Sequence, residues 1–278
     1  MSDGFSEGIN IPRTSAYYRE AGKGPSVICL HSVASSCLQW RPLMTCLAES
    51  YRVIAIDFYG DGKSPPCRDD CAFSIDDEIA LIEPILKGAG PFHLVGHSYG
   101  GCVAVKICLS RPDRVASLVL YEPALWGTLV NHWPNDPSAR EILALRSETG
   151  RLIKSGDTEA AAQRFVDYWA GEGSWRGIPD SKRDAIIAGI VTGDHKWKPS
   201  PGPSISPEEL NALEIPTLVM TGSETAATMR GLISRLRETV PRWQFVELAG
   251  LGHMGPITHA EVVNAHIAAF LKNIRLSF

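Results

Sequence analysis

The residues with the plainest chemical meaning are Gly96-His97-Ser98-Tyr99-Gly100-Gly101. A serine spaced G-x-S-x-G acts as a nucleophile when a strand runs into it and a helix leaves it. Residues 91–95 are a short apolar run and residues 102–109 read as a helix, so that context is met. The glycines lack a Cβ, which lets strand and helix approach closely around a strained serine. The helix points its positive end, and the Tyr99 N–H, at whatever Ser98 attacks. The chemistry is attack on a carbonyl, and a serine hydroxyl needs a base beside it to do that at neutral pH.

Such a turn has to be held by a sheet. Residues 14–20 alternate weakly and read as an early edge strand. Residues 27–30, 51–57, 91–95, 115–121, 215–220 and 243–248 are apolar runs of strand length, and most are continuous, as expected of strands buried on both faces. Helical patterns stand between them at 38–49, 74–87 (opened by Ser74, with Pro84 predicting a kink or an early end), 102–109, 226–240 and 260–272. From residue 124 to about 203 the alternation stops, and helical segments at 138–149, 158–168 and 181–190 are joined by loops rich in Gly, Pro and Trp. The pattern predicts an α/β fold, with a mostly parallel central sheet, helices on both faces and a helical cap inserted after the sixth strand. The core is then residues 1–123 and 204–278, and the cap 124–203. In such sheets chemistry sits beyond the carboxyl ends of the strands. Those ends carry His31, Asp57, Ser98, Glu122, Gly222 and His253.

Composition narrows the function classes. The 278 residues are 44% hydrophobic and 21% charged, which suits a packed fold. A net charge of −4 gives no basic face for nucleic acid. No apolar run is long enough to span a membrane, and the first residues lack a signal-peptide pattern. Seven scattered cysteines suit free thiols in a reducing cytoplasm; Cys67 and Cys71 read as ordinary loop residues, with no partners for a metal. Gly62-Lys63-Ser64 ends like a phosphate-binding loop, but Asp57 stands where its first glycine is required and Pro65-Pro66 blocks the helix that should follow.

With the elbow around Ser98, the His31 loop, the turn at 60–64 and Gly252-His253 in place, the chain resembles the α/β-hydrolase superfamily over nearly its whole length. It looks most like the capped esterase, lipase and carbon–carbon hydrolase branch, which shares its fold with haloalkane dehalogenases and haloperoxidases. The resemblance implies Ser98 as nucleophile and His253, in the loop after the last strand, as base; the other histidines lie in the flanking loops, a strand, the insertion or the final helix. It implies an oxyanion hole of two backbone N–H groups, from Tyr99 and from Val33 in His31-Ser32-Val33. There Ser32 replaces the usual Gly, which costs backbone freedom and puts a hydroxyl near the site. Most of the superfamily carries an Asp three residues after the Gly that ends the penultimate strand. That Gly is Gly222, and the position holds Thr225. Glu122, at the end of the preceding strand, is the favoured acid, because some haloalkane dehalogenases place theirs there. Glu224 is the alternative. Asp57 is expected to hold the turn that follows it. A serine nucleophile argues against dehalogenation, which uses Asp in this fold.

The expected pocket is lined by His31, Ser32, Trp40, Trp126 and Met254, and most of the other cap aromatics (Trp133, Tyr168, Trp169, Trp175 and Trp197) are expected to pack the cap. The expected activity is hydrolysis of small apolar or aromatic esters through an acyl-enzyme, by a monomer or homodimer, with a small molecule as partner and no metal or cofactor. The alternatives are hydrolysis of a lactone, amide or C–C bond on the same residues, and a ligand-binding or cofactor-free oxygenase-type protein.

Overall fold

The computed structural model describes residues 15–66, 74–194 and 204–274, and the backbone of a two-residue strand at Ser6–Glu7. In chain order that strand is β1, followed by β2 (Tyr18–Ala21) and β3 (Ser26–Leu30). A 3-10 turn at Cys37–Trp40 leads into α1 (Arg41–Leu47), and then come β4 (Arg52–Ile56), α2 (Ile75–Gly88), β5 (Phe92–His97), α3 (Tyr99–Ser110) and β6 (Val115–Tyr121). The excursion between β6 and the next strand holds α4 (Trp126–His132), α5 (Pro137–Lys154), α6 (Thr158–Ala170) and α7 (Asp180–Gly193). The chain closes with α8 (Pro207–Ala212), β7 (Thr217–Gly222), α9 (Ala227–Thr239), β8 (Gln244–Leu248), α10 (Gly255–Thr258) and α11 (Ala260–Lys272).

The eight strands form one sheet in the order β1-β2-β4-β3-β5-β6-β7-β8. β1 pairs antiparallel with β2 and β2 antiparallel with β4; every other pairing is parallel, with β3 at the heart of the sheet. Neighbouring side chains on a strand face opposite sides, and each side has its own core. Val27 and Cys29 of β3, with Val53 and Ala55 of β4, pack against Leu43, Met44 and Leu47 of α1 and Val263, Ile267 and Leu271 of α11. Ile28 and Leu30, with Ile54 and Ile56, pack with α2 and α3 in a cluster that continues into the excursion through Leu129, Ile142 and Trp169. Burial on both faces is why these strands read as unbroken apolar runs; β8, an edge strand, alone among β3 to β8 is mostly uncovered.

Local chemistry sets the element ends. The Ser74 hydroxyl and Asp77 carboxylate form a reciprocal cap on α2, and Ser206 with Glu209 does the same on α8. Pro84 does not end α2, which continues to Gly88; the ring removes one main-chain donor, while buried Leu86 beyond it keeps the last turn on the core. The expected helix over 38–49 divides into the 3-10 turn and α1, with Pro42 in the first turn of α1. Short β1, α4, α8 and α10 carry too few residues for a periodic signal. Among the described residues Cys29, Cys37, Cys46, Cys102 and Cys108 are free thiols, and no helix is long and apolar enough to cross a membrane. Cys67, Cys71 and Trp197 lie outside the described residues.

Candidate active site

Ser98 sits between β5 and α3 with φ 53° and ψ −115°, a conformation that L-residues avoid. Its surroundings hold it there. The Ser98 N–H donates to the Tyr121 carbonyl at 3.0 Å, and the Ser98 carbonyl accepts from Ala124 N–H at 2.9 Å. The glycines are required by contact: a Cβ on Gly100 would lie 2.3 Å from the Leu30 carbonyl oxygen, and one on Gly96 would lie 2.6 Å from the Gly100 carbonyl oxygen. Strain at one residue is thus sustained by two strands, a helix start and the chain after β6.

Glu122 follows β6 and also has positive φ, 44°. The bend turns its side chain inward, where it is completely buried. Its carboxylate accepts four hydrogen bonds. Oε1 takes the Thr221 hydroxyl at 2.9 Å and the Gly222 N–H at 2.8 Å. Oε2 takes the Thr225 hydroxyl at 2.7 Å and His253 Nδ1–H at 2.7 Å. Burial pushes this carboxyl up, but the hydrogen bond and charge of His253, together with Gly222 and Thr225, outweigh it and hold the group below the ordinary glutamate value. An ionised Glu122 accepts only, so His253 presents a proton to it on Nδ1, which leaves Nε2 as the ring nitrogen not engaged by Glu122. Glu224 is turned elsewhere: its Oε1 accepts from the Ser223 hydroxyl at 3.1 Å. Of the two alternative acids, Glu122 is the one that meets His253.

His253 is nearly buried, and its loop is tied down at two carbonyls. Tyr121 donates its hydroxyl to the Gly252 carbonyl at 2.7 Å, and His97 Nε2–H donates to the His253 carbonyl at 2.9 Å. The His97 ring lies 5.0 Å from the His253 ring, and the Trp169 ring packs at 4.6 Å. Tyr121, Thr221 and Thr225 were not singled out as partners by sequence reasoning. Their signal was faint: two hydroxyl residues bracket Gly222, one of them where an acid was expected.

Ser98 and His253 line one cavity of about 800 Å³. The loop after β3 lines it with Ser32, Val33 and Ala34. α6 and α7 line it with Phe165, Trp169, Ile186 and Ile190. Thr225 and Met254 line it as well. Of the expected pocket residues, Ser32 and Met254 line it, while His31, Trp40 and Trp126 do not. His31 is fully buried, its Nδ1–H given to the Ser32 carbonyl at 2.7 Å and its Nε2 accepting from Phe58 N–H at 3.2 Å. Trp40 packs on the α1 and α11 face of the sheet. Trp126 stacks on the back of Trp169 at 5.5 Å, so Trp169 takes the position expected of it. The Ser32 hydroxyl is engaged with the Gln39 side-chain oxygen at 3.3 Å, and Ser32 does not have positive φ, so the absent glycine imposes no left-handed strain there. The conformational demand falls instead on Ala34, at φ 55°. Tyr99 starts α3 beside Ser98. Asp57 accepts from Cys37 N–H at 2.6 Å and Lys63 N–H at 2.8 Å, and so binds the 57–64 turn to itself.

A model of the alpha/beta hydrolase family matches residues 27–266. The chain is 33% identical over 261 residues to the 2-hydroxy-6-oxo-6-(2'-aminophenyl)hexa-2,4-dienoic acid hydrolase of Metapseudomonas resinovorans, covering 91% of this chain and 86% of that protein. It is 24% identical over 267 residues to the (E)-2-((N-methylformamido)methylene)succinate hydrolase of Acinetobacter baylyi, covering 93% and 94%. Among solved structures, carboxylesterase CesB (YbfK) from Bacillus subtilis superposes with a TM-score of 0.73 at 21% identity, over 96% of this chain and 91% of that one.

Proposed function

From the premise that the chain belongs to the alpha/beta hydrolase family, we propose that it is a serine hydrolase cleaving small apolar or aromatic esters through an acyl-enzyme. The observation that carries this reading is the 2.7 Å His253–Glu122 hydrogen bond at a cavity that Ser98 also lines. Ser98 Oγ attacks the ester carbonyl while its proton passes to His253 Nε2. Glu122 fixes the ring tautomer and stabilises the imidazolium that forms. The negative oxygen of the tetrahedral adduct is met by the N–H groups of Tyr99 and Val33. The adduct collapses by breaking the C–O bond to the alcohol, which takes the proton from His253. Water then attacks the acyl-enzyme, giving its proton to His253, and the second adduct releases the acid as Ser98 recovers that proton.

The cavity disfavours anionic substrates. Among the described residues no Lys or Arg lines it, and its walls are mainly aliphatic and aromatic. The two relatives above are named for substrates that carry carboxylates, succinate and a dienoic acid. A carboxylate entering this cavity would lose water without gaining a cation.

The test is fluorophosphonate labelling of the purified protein and of Ser98→Ala and Glu122→Gln, with p-nitrophenyl acetate and butyrate turnover. The wild type is expected to label at Ser98. Both variants are expected to lose turnover by about a thousand-fold or more, because the three residues act as a unit. A folded wild type that neither labels nor turns over would overturn the reading, as would a Glu122→Gln enzyme of wild-type activity.

A further inference from the structure

Glu224 is the one acidic residue among the described residues that line the cavity, and no other described lining residue carries a fixed charge. Glu224 follows the Gly222 end of β7 and, like Gly250 and His259, is both exposed to solvent and part of the cavity lining, which puts it on the solvent side of the cavity. Its position is built. The Glu224 N–H donates to the Leu251 carbonyl at 2.8 Å. Its carboxylate accepts from the Ser223 hydroxyl, which in turn accepts from Gly250 N–H at 2.9 Å. The nearby Arg230 guanidinium is spent on the Thr225 carbonyl and does not line the cavity. The other carboxylate close by, Glu122, is sealed behind His253 with all its contacts filled. A negative group at the mouth of a cavity with no cation raises the local concentration of cations and lowers that of anions.

The geometry points to Glu224 as a charge selector that makes esters bearing an ammonium group better substrates than their uncharged isosteres. This rests on the proposed esterase reading and names a substrate class within it. The cation would sit at the mouth beside Glu224, with the ester carbonyl deeper, at Ser98. Because the carboxylate is exposed, its pull is screened by salt.

The direct measurement compares butyrylcholine with 3,3-dimethylbutyl butyrate, two esters of the same shape that differ by one positive charge. Wild type is expected to show a kcat/KM ratio of about ten in favour of the choline ester at low salt, falling toward one at about 0.5 M KCl. Glu224→Gln is expected to lower that ratio about ten-fold. Binding of choline and of 3,3-dimethylbutanol to the Ser98→Ala protein, by calorimetry, reads the same preference without turnover, so failure of the charge selector and failure of the esterase reading are separable. A ratio near one in wild type, or one that Glu224→Gln does not move, overturns the inference in either assay.

Discussion

His97 shows how one side chain beside a nucleophile can act through the base. Its Nε2–H is given to the His253 main-chain carbonyl, so it sets the height of the loop that presents the imidazole. Burial, and next the neighbouring His253, lower its own basicity well below an ordinary histidine, so it stays a neutral donor. Its Nδ1 is buried and makes no hydrogen bond among the described residues, which leaves Nε2 as the working atom. Truncation by His97→Ala leaves a buried carbonyl without its donor and frees the loop. The expected result is a kcat lower by roughly ten- to a hundred-fold with KM little changed, since a shift of about 1 Å in a reacting group costs on that order. His97→Gln places an amide N–H at a similar reach and should recover most of the rate. Loss without recovery in His97→Gln would mean that ring packing against Tyr121 and His253, and not the donated proton, is what matters.

At the scale of elements, the cavity depends on how α7 meets the loop after β3. Two glycines four residues apart lie on that contact. A Cβ on Gly189 would come within 2.9 Å of the Ala34 Cα, and one on Gly193 within 2.8 Å of a Val33 methyl. The first obstacle is backbone in a strained conformation; the second is a side chain that can rotate. Gly to Ala in a helix interior otherwise stabilises by about 1 kcal/mol. Gly189→Ala is therefore expected to push the Val33–Ala34 loop or α7 aside and reduce kcat/KM about ten-fold or more, without a gain in Tm, whereas Gly193→Ala is expected to be milder. Kinetics and thermal melts of the pair check this, and equal, full activity in both would remove α7 from the site. The same contact explains what sequence reasoning could and could not reach. The turn around Ser98 is local, so its glycines announce strand, bend and helix together. The continuous apolar strands announce a sheet covered on both faces. The pocket wall is not local: Phe165, Trp169, Ile186 and Ile190 come to line the same cavity as Ser98 only after two helices fold back, and nearness in sequence pointed instead to Trp40 and Trp126, which pack elsewhere. The acid stood as two alternatives because the choice depends on the bend at Glu122, a positive φ that no neighbouring glycine signals.

The whole molecule carries a cost at low pH that follows from the middle of its sheet. His93 and His97 both lie on β5 and both are buried. His93 shares a 2.8 Å hydrogen bond with the Ser117 hydroxyl and packs edge-on to Tyr51, and burial lowers it to about 4. His97 is lowered well below 6.5 by burial and then by His253. In the unfolded chain both bind a proton at about pH 6.5. Below that pH the unfolded state takes up protons that the folded state refuses, His93 until about 4 and His97 until well below its ordinary range, so the folded state loses stability as pH falls, and the contribution is fully present above that window. For His93 alone the ceiling is about 3 kcal/mol across the window, and while both histidines titrate the slope approaches about 2.7 kcal/mol per pH unit. Glu122 adds a loss of the same sign at lower pH, because its carboxyl is held below the ordinary value in the folded state and takes up a proton more readily when unfolded. Urea denaturation from about pH 8 down to about pH 5 measures this. The expected profile is level above about pH 7.5 and falls steeply below about pH 6.5. His93→Gln, which keeps a partner for Ser117 but does not titrate, should lower the slope by about one proton. A level wild-type profile down to about pH 5 would mean that the centre of the sheet admits the charge, which an intact, dry pairing of β5 with β3 and β6 does not allow.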